Sequence, residues 1–350
     1  MTSRERMSTI MEFGIPDRIG KHEWYWSETI TRWQQEGLPE GEDMAKRYGL
    51  DITMMPYDQS PRFERKVLEE DDATLVERNN FGMTQRKWKH KGGAEQQIDA
   101  MIKTPADWDK YKERFLPSAD RFADDVVQRL EAQREKGAYS VYWYLEPFEL
   151  AWRFLGFTET LILMAEQPEL INQIFEDCTN QIIGTYDAVA ALGARFDGNW
   201  AGGDIACKTG PLFSPTMYRD LLKPHHKRIF SYFNDRGMPT LYHGDGNNNL
   251  LIEDFIEAGV RALHPLEVKA GMDMLELKPK VQGRLVLFGG IDVREFSKGK
   301  EEVEREIRSK IPVAMEGGGY IYCVDHSVAS TVSLENYEYA QSLIDEVGKY

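Results

Sequence analysis

The sequence predicts an α/β fold whose parallel strands close into a (β/α)8 TIM barrel, with an N-terminal helical extension and a β-hairpin insertion. Three observations carry that reading. From residue 138 onward, short apolar runs alternate with amphipathic stretches of ten residues or more, the pattern of βαβ units and a parallel sheet. The chain has 350 residues, long for an ordinary domain and normal for a barrel with an extension. No GxGxxG turn is present, which disfavours an open dinucleotide-binding sheet.

Taken in order, Arg4 to Phe13 reads as a short helix closed by Gly14 and Pro16. Arg18 to Trp26 reads as a strand leading into a mouth loop, and Glu28 to Gln35 as a helix stopped by Gly37-Leu38-Pro39. Residues 63–91 alternate β-formers with charges, and Asn79-Asn80 and Phe81-Gly82 supply turn chemistry. That stretch is expected to form β-hairpins projecting from the barrel. Pro105 to Phe115 and Ala119 to Glu135 read as amphipathic helices. Strands follow at SVYWYL, RFDGNW, PTLYH, RALHPL, LVLFGG and GYIYC. Helices between them include Gln167 to Leu192, Pro215 to Arg236, Leu250 to Ala258 and Lys300 to Met315. His225 and His226 fall on the second of these and are expected at its surface. No repeat or linker interrupts the pattern, so residues 1–350 read as a single barrel domain.

Composition narrows the function. Hydrophobic residues make up 41%, enough for a large core, which excludes a disordered chain. No run of about 18 apolar residues exists, and MTSRERMSTIMEFG lacks the apolar stretch of a signal peptide. Cys178, Cys207 and Cys323 are too few and scattered for a disulfide framework. The expected compartment is the cytoplasm. The net charge of −15 repels nucleic-acid phosphates and anionic lipid heads, so neither is an expected partner. A small-molecule substrate is, and the acidic surface suits a partner protein.

Catalytic groups of such barrels sit at the C-terminal ends of strands. Here Glu146 follows VYWYL, Asp204 follows the run ending at Trp200, and His243 and Asp245 follow TLY. Glu267 follows ALHPL, Asp292 follows LFGG, and Cys323, Asp325 and His326 follow YIY. His243-Gly244-Asp245-Gly246 is the sharpest motif. Side chains at i and i+2 beyond a strand can converge, and neutral imidazole with carboxylate suits zinc. The glycines let the backbone turn tightly. A turn in which Asp245 merely caps the next helix explains the same residues. His264 fits the mouth or core packing equally well. His22, Trp24 and Trp26, with Tyr142, Trp143 and Tyr144, offer either walls for an aromatic substrate or core packing.

On GDIACKTGPLFSP, on the His-x-Asp-Gly turn with IEAGVRALHPLEVKAGMD after it, and on GGID, GGGYIYCVDHSV and SLENY, the chain resembles the uroporphyrinogen decarboxylase superfamily. That superfamily includes cobamide-dependent methyltransferases. The likeness covers most of the chain and is densest from Asp197 to Tyr337. It implies a (β/α)8 barrel with its site at the mouth. True decarboxylases carry a Pro-rich, Arg-containing N-terminal motif that grips the porphyrinogen carboxylates. The matching stretch here, Pro16-Asp17-Arg18 to Trp26, has aromatics in place of an arginine fork. The resemblance therefore leans toward the methyltransferase branch.

The zinc methyltransferases of that branch use a His-x-Cys pair and a later Cys. The matching positions here are His243, Asp245 and His326, which the resemblance implies as zinc ligands. Such a thiolate-free set suits a Lewis acid acting on oxygen. The expected reaction moves a methyl group from an O-methyl substrate, such as a methoxylated aromatic, to a corrinoid on a partner protein. Glu146, Asp204, Asp245 and His326 are the expected catalytic groups. His22, Trp24, Trp143 and Glu267 are expected to hold the substrate. The alternatives are a metal-free decarboxylase or lyase, in which Asp204 or Asp245 is the acid and His326 binds a substrate carboxylate, and a non-catalytic ligand-binding barrel. Members of the superfamily often pair, so a homodimer is expected.

Overall fold

The fold is seen in a computed structural model that describes residues 1–90 and 95–350. Eight strands form one parallel sheet: β1 (Gly20–Lys21), β2 (Ile52–Pro56), β3 (Tyr139–Leu145), β4 (Gly198–Gly202), β5 (Thr240–His243), β6 (Val260–His264), β7 (Val286–Phe288) and β8 (Tyr320–Tyr322). They lie in the order β1-β8-β7-β6-β5-β4-β3-β2. The sheet is curled, and the residue just before β2 approaches β1: the Asp51 N–H donates to the Lys21 carbonyl at 2.7 Å, and the Asp51 carboxylate accepts from the Lys21 N–H at 2.9 Å.

The strands read as continuous apolar runs because both faces are covered. Alternate side chains point inward, where Val141, Trp200, Leu241, Ala262, Val286, Phe288 and Ile321 form an inner core. The helix Ser3–Met11, started by a capping box between Thr2 and Glu5, adds Met7, Ile10 and Met11 to that core. The intervening residues Tyr142, Tyr144, Tyr242, Leu263, Leu287, Tyr320 and Tyr322 point outward into the layer under the helices. Tyr142 and Tyr144 are thereby removed from any pocket wall, while Trp143 keeps the opposite side.

Arg18 lies just before β1, at the N-terminal end of the sheet. It pairs with the fully buried Asp51 carboxylate at 2.8 Å, alongside Arg6 at 2.8 Å. That end is opposite the loops following the strands.

Four strands, Lys66–Glu70, Thr74–Arg78, Met83–Trp88 and Gln96–Ala100, form a separate antiparallel sheet. Three of these strands fall within the stretch 63–91 expected to form hairpins, whose last residue lies outside the described residues, and the fourth, Gln96–Ala100, lies beyond it. Two strand expectations change. Ile52–Pro56, Met-rich and without alternation, is a strand that pattern reasoning passes over. The strand expected over Arg18 to Trp26 is only Gly20–Lys21, after which Tyr25 keeps a lone bridge to Val328.

His225 and His226 are buried, not superficial. Their helix, Lys223–Asn234, packs on Pro168–Ala191, and His226 meets the Tyr218 hydroxyl at 3.0 Å and Glu146 at 2.9 Å. A π-helical turn at Tyr218–Leu222 interrupts the helix expected over Pro215 to Arg236. Among the described residues, no helix is long and apolar enough to cross a membrane.

Candidate functional site

The loops after β3 to β6 and β8 converge. After β4, the backbone at Gly203 runs so close to Glu146 that an added Cβ would lie 2.2 Å from the Glu146 Cγ. Asp204 then turns up beside β5. Its N–H donates to Glu149 Oε2 at 3.3 Å, and its Oδ1 accepts from the Asp245 N–H at 2.9 Å. The same oxygen lies 3.6 Å from His243 Nε2.

His243 and His264 end β5 and β6 and are register partners. Their Nδ1 atoms are 2.8 Å apart. Burial, and then the neighbouring His243, push the pKa of His264 well below the usual imidazole value, so it is neutral.

The turn after β5 is fixed by its own chemistry. Gly246 has φ +85°, and an added Cβ would lie 2.6 Å from the Ala206 carbonyl carbon. Its N–H donates to Glu267 Oε2 at 2.7 Å, and Asn248 Nδ2 donates to the Gly244 carbonyl at 2.9 Å. Asp245 does not cap the next helix, Ile252–Ala258, whose start has no side-chain cap. Its Oδ2 instead faces His326 Nε2 at 3.3 Å, and its Oδ1 is buried without a partner among the described residues. Burial would raise the Asp245 pKa, but the His326 hydrogen bond and the nearby imidazoles hold it below the ordinary carboxylate value. The same bond raises His326 against its partial burial.

One ligand atom each from Asp204, His243 and Asp245 lies within 4.8 Å of the other two. His326 stands beside this group on Asp245, stacked near the Trp26 ring at 6.0 Å. Trp24 lies under the imidazoles, stacked on Trp200 at 5.4 Å and edge-on to His243 and His264 at 5.0 Å each. Asp204, Asp245, His243, His326 and Trp24 are thus brought together.

Others are not. Glu146 is fully buried and spends both oxygens as a helix cap, accepting from the Phe148 and Glu149 N–H groups and meeting His226 Nε2 at 2.9 Å. Nothing of it reaches the mouth, because the helix Pro147–Leu155 begins on it. His22 lies deeper, edge-on to Trp200 at 5.0 Å, with burial pushing its pKa down to about 3. Glu267 is buried and bonded to Gly246 and Lys269, a brace for the turn. Asp325 likewise accepts from the Val268 and Val293 N–H groups, and Asp292 caps the helix Val293–Phe296. Trp143 lines a cleft of about 870 Å³ that reaches Asp204 and is roofed by the antiparallel sheet. Two features escape sequence reasoning. One is that the hairpins cover this cleft, the other that His264 pairs with His243, although TLYH and RALH end neighbouring strands in the same residue.

Comparison with known proteins fits this architecture. Residues 73–347 match the family described as Uroporphyrinogen decarboxylase (URO-D). A uroporphyrinogen decarboxylase of Thermus thermophilus is 27% identical over 198 residues, covering 55% of this chain and 53% of that protein. That of Saccharopolyspora erythraea is 28% identical over 180 residues, covering 48% and 47%. The chain spans about half the length of the curated relatives it matches. A solved methyltransferase from Methanosarcina mazei shares the fold, with a TM-score of 0.69 at 17% identity over 99% of both chains.

Proposed function

The chain belongs to the uroporphyrinogen decarboxylase (URO-D) family, and on that premise we propose that it is a methyltransferase acting at the mouth of a closed (β/α)8 barrel. It takes the methyl group of an O-methyl substrate, of methoxyaromatic type, and passes it to a corrinoid on a partner protein. The hydrogen bond from Asp51, just before β2, to Lys21 of β1 supports closure.

The observation that carries the reading is the meeting of Asp204, His243 and Asp245. Two carboxylates and a neutral imidazole are ordinary zinc donors. His243 Nδ1 is engaged by His264, which leaves Nε2 toward Asp204, and the buried Asp245 Oδ1 lacks a partner among the described residues. The residues fit the ion, and Asp204, His243 and Asp245 would hold it. When bound, zinc supplies Lewis-acid stabilisation of an ether oxygen.

The chain's own residues do the rest. The C–O bond to the methyl group breaks with its electron pair left on oxygen, so negative charge develops there and a proton must follow. His326, whose Nε2 faces Asp245 Oδ2 at 3.3 Å, is placed to hold that proton. Glu267 and Asn248 hold the turn that presents Asp245. Trp24 excludes water from beneath the imidazoles.

Porphyrinogen decarboxylation is disfavoured because Arg18, the arginine of the N-terminal stretch, is committed to Asp51 at the far end of the sheet. A metal-independent decarboxylase is the second reading. The His326–Asp245 pair favours it, since a protonated imidazole suits a substrate carboxylate. The zinc-loaded chain, given a methoxyarene and reduced cobalamin, is expected to form methylcobalamin, and His243→Ala to abolish it. Carbon dioxide release that survives chelation, without methyl transfer, would favour the second reading.

A further inference from the structure

The four-stranded antiparallel sheet takes no part in the acid–imidazole cluster, yet it covers the cleft that ends at Asp204. Four aromatic side chains line it among polar ones. Phe81 comes from the turn between Thr74–Arg78 and Met83–Trp88, Trp143 from β3, and Trp152 and Phe157 from the helices Pro147–Leu155 and Phe157–Glu166.

The cations on the cleft are already engaged by carboxylates, two of them sharing one. Arg65 and Lys87 converge on the buried Glu77 carboxylate at 3.2 and 2.6 Å. Arg153 lies 4.0 Å over the Trp152 ring, and its Nε donates to Glu149 at 3.0 Å. Glu149 also accepts from Trp152 Nε1 at 2.8 Å and from the Asp204 N–H, tying the wall to the cluster. Every described arginine or lysine lining the cleft therefore has a carboxylate, and Asp204 adds a further negative group at its inner end.

We propose that this cleft is the substrate-binding site and that it takes an uncharged aromatic ring bearing ether groups, with a methoxyl directed at Asp204, and rejects a carboxylated ring. The four aromatic side chains favour a planar ring. Away from the metal centre, a carboxylate on the ring would lose its water without gaining a free cation. The volume falls within the range of small-molecule sites. Which end of the ligand reacts rests on the methyltransferase reading above; the choice of ligand rests on the cleft.

The test is calorimetric titration of the full, zinc-loaded chain with veratrole, which is uncharged, and with veratrate, its carboxylated counterpart. Veratrole is expected to bind about tenfold or more tighter, a difference of about 1.4 kcal/mol. Phe157→Ala should weaken veratrole about tenfold. Glu77→Gln, which releases Arg65 and Lys87, should strengthen veratrate about tenfold. If that variant does not fold, Thr158→Arg places a free cation on the exposed rim of the same cleft and carries the same expectation. Equal or tighter binding of veratrate by the native chain, or veratrole binding unchanged by Phe157→Ala, overturns the proposal. Zinc is measured in the same samples. A chain that fails to hold zinc but binds veratrole through Phe157 removes the methyltransferase reading and leaves the cleft. A chain that holds zinc but binds no veratrole removes the cleft and leaves the metal centre.

Discussion

His243 Nδ1 and His264 Nδ1 face each other at 2.8 Å across the ends of adjacent strands. One nitrogen must carry the proton that joins them. For His243 to offer a bare Nε2 to a metal, its Nδ1–H must donate and His264 must accept. That choice places a proton on His264 Nε2, which is buried without a partner among the described residues. In the proposed zinc centre His264 would thus set the tautomer of His243. His264→Phe keeps a ring in place and removes the acceptor. Zinc affinity, read by chelator competition, is expected to fall about ten- to a hundredfold. An unchanged affinity would show that His264 only packs.

The pair of His326 and Asp245 makes a statement about pH in the zinc-free chain. His326 is raised on folding, so its contribution is complete below the ordinary histidine value and is lost as pH climbs through the raised one. Asp245 is lowered, so its contribution is present above the ordinary carboxylate value and is lost as pH falls through the lowered one. Both are present at about pH 5 to 6. The melting-temperature difference between the native chain and His326→Gln should be largest there and shrink toward alkaline pH. Calorimetric scans across pH check this; a difference independent of pH would contradict the ion pair.

Glu146 stands where a catalytic acid is expected, at the end of a strand, yet it is walled in. Glu146→Ala removes a helix cap, costing about 1 kcal/mol, and strands the buried His226 nitrogen, costing about 1–3 kcal/mol. Chemical denaturation should show that loss while zinc content stays unchanged. Loss of zinc in a folded Glu146→Ala chain would return the residue to the site.

Glu146 also shows where sequence reading runs out. Strand ends were legible because the apolar runs are continuous, and Asp204, His243, Asp245 and His326 do gather at one end. The direction each side chain takes was not legible. The run SVYWYL does not say which tyrosine or tryptophan faces inward; the pleat sends Trp143 to the cleft and Tyr142 and Tyr144 under the helices. Nor does spacing tell that Glu146 is folded back onto the N–H groups of Phe148 and Glu149. His225 and His226 look polar on a helix and are buried, because a polar ring whose nitrogens find Asn172, Tyr218 and Glu146 packs at little cost. The pairing of His243 with His264 needed the strand register, although both strands end in histidine.

The central claim is a zinc centre on Asp204, His243 and Asp245. Elemental mass spectrometry of the purified native chain, beside His243→Ala and Asp204→Asn, addresses it most directly. Near one zinc per chain, lost in His243→Ala and reduced in Asp204→Asn, is the expected result. A native chain free of metal after expression in zinc-supplemented medium would contradict it.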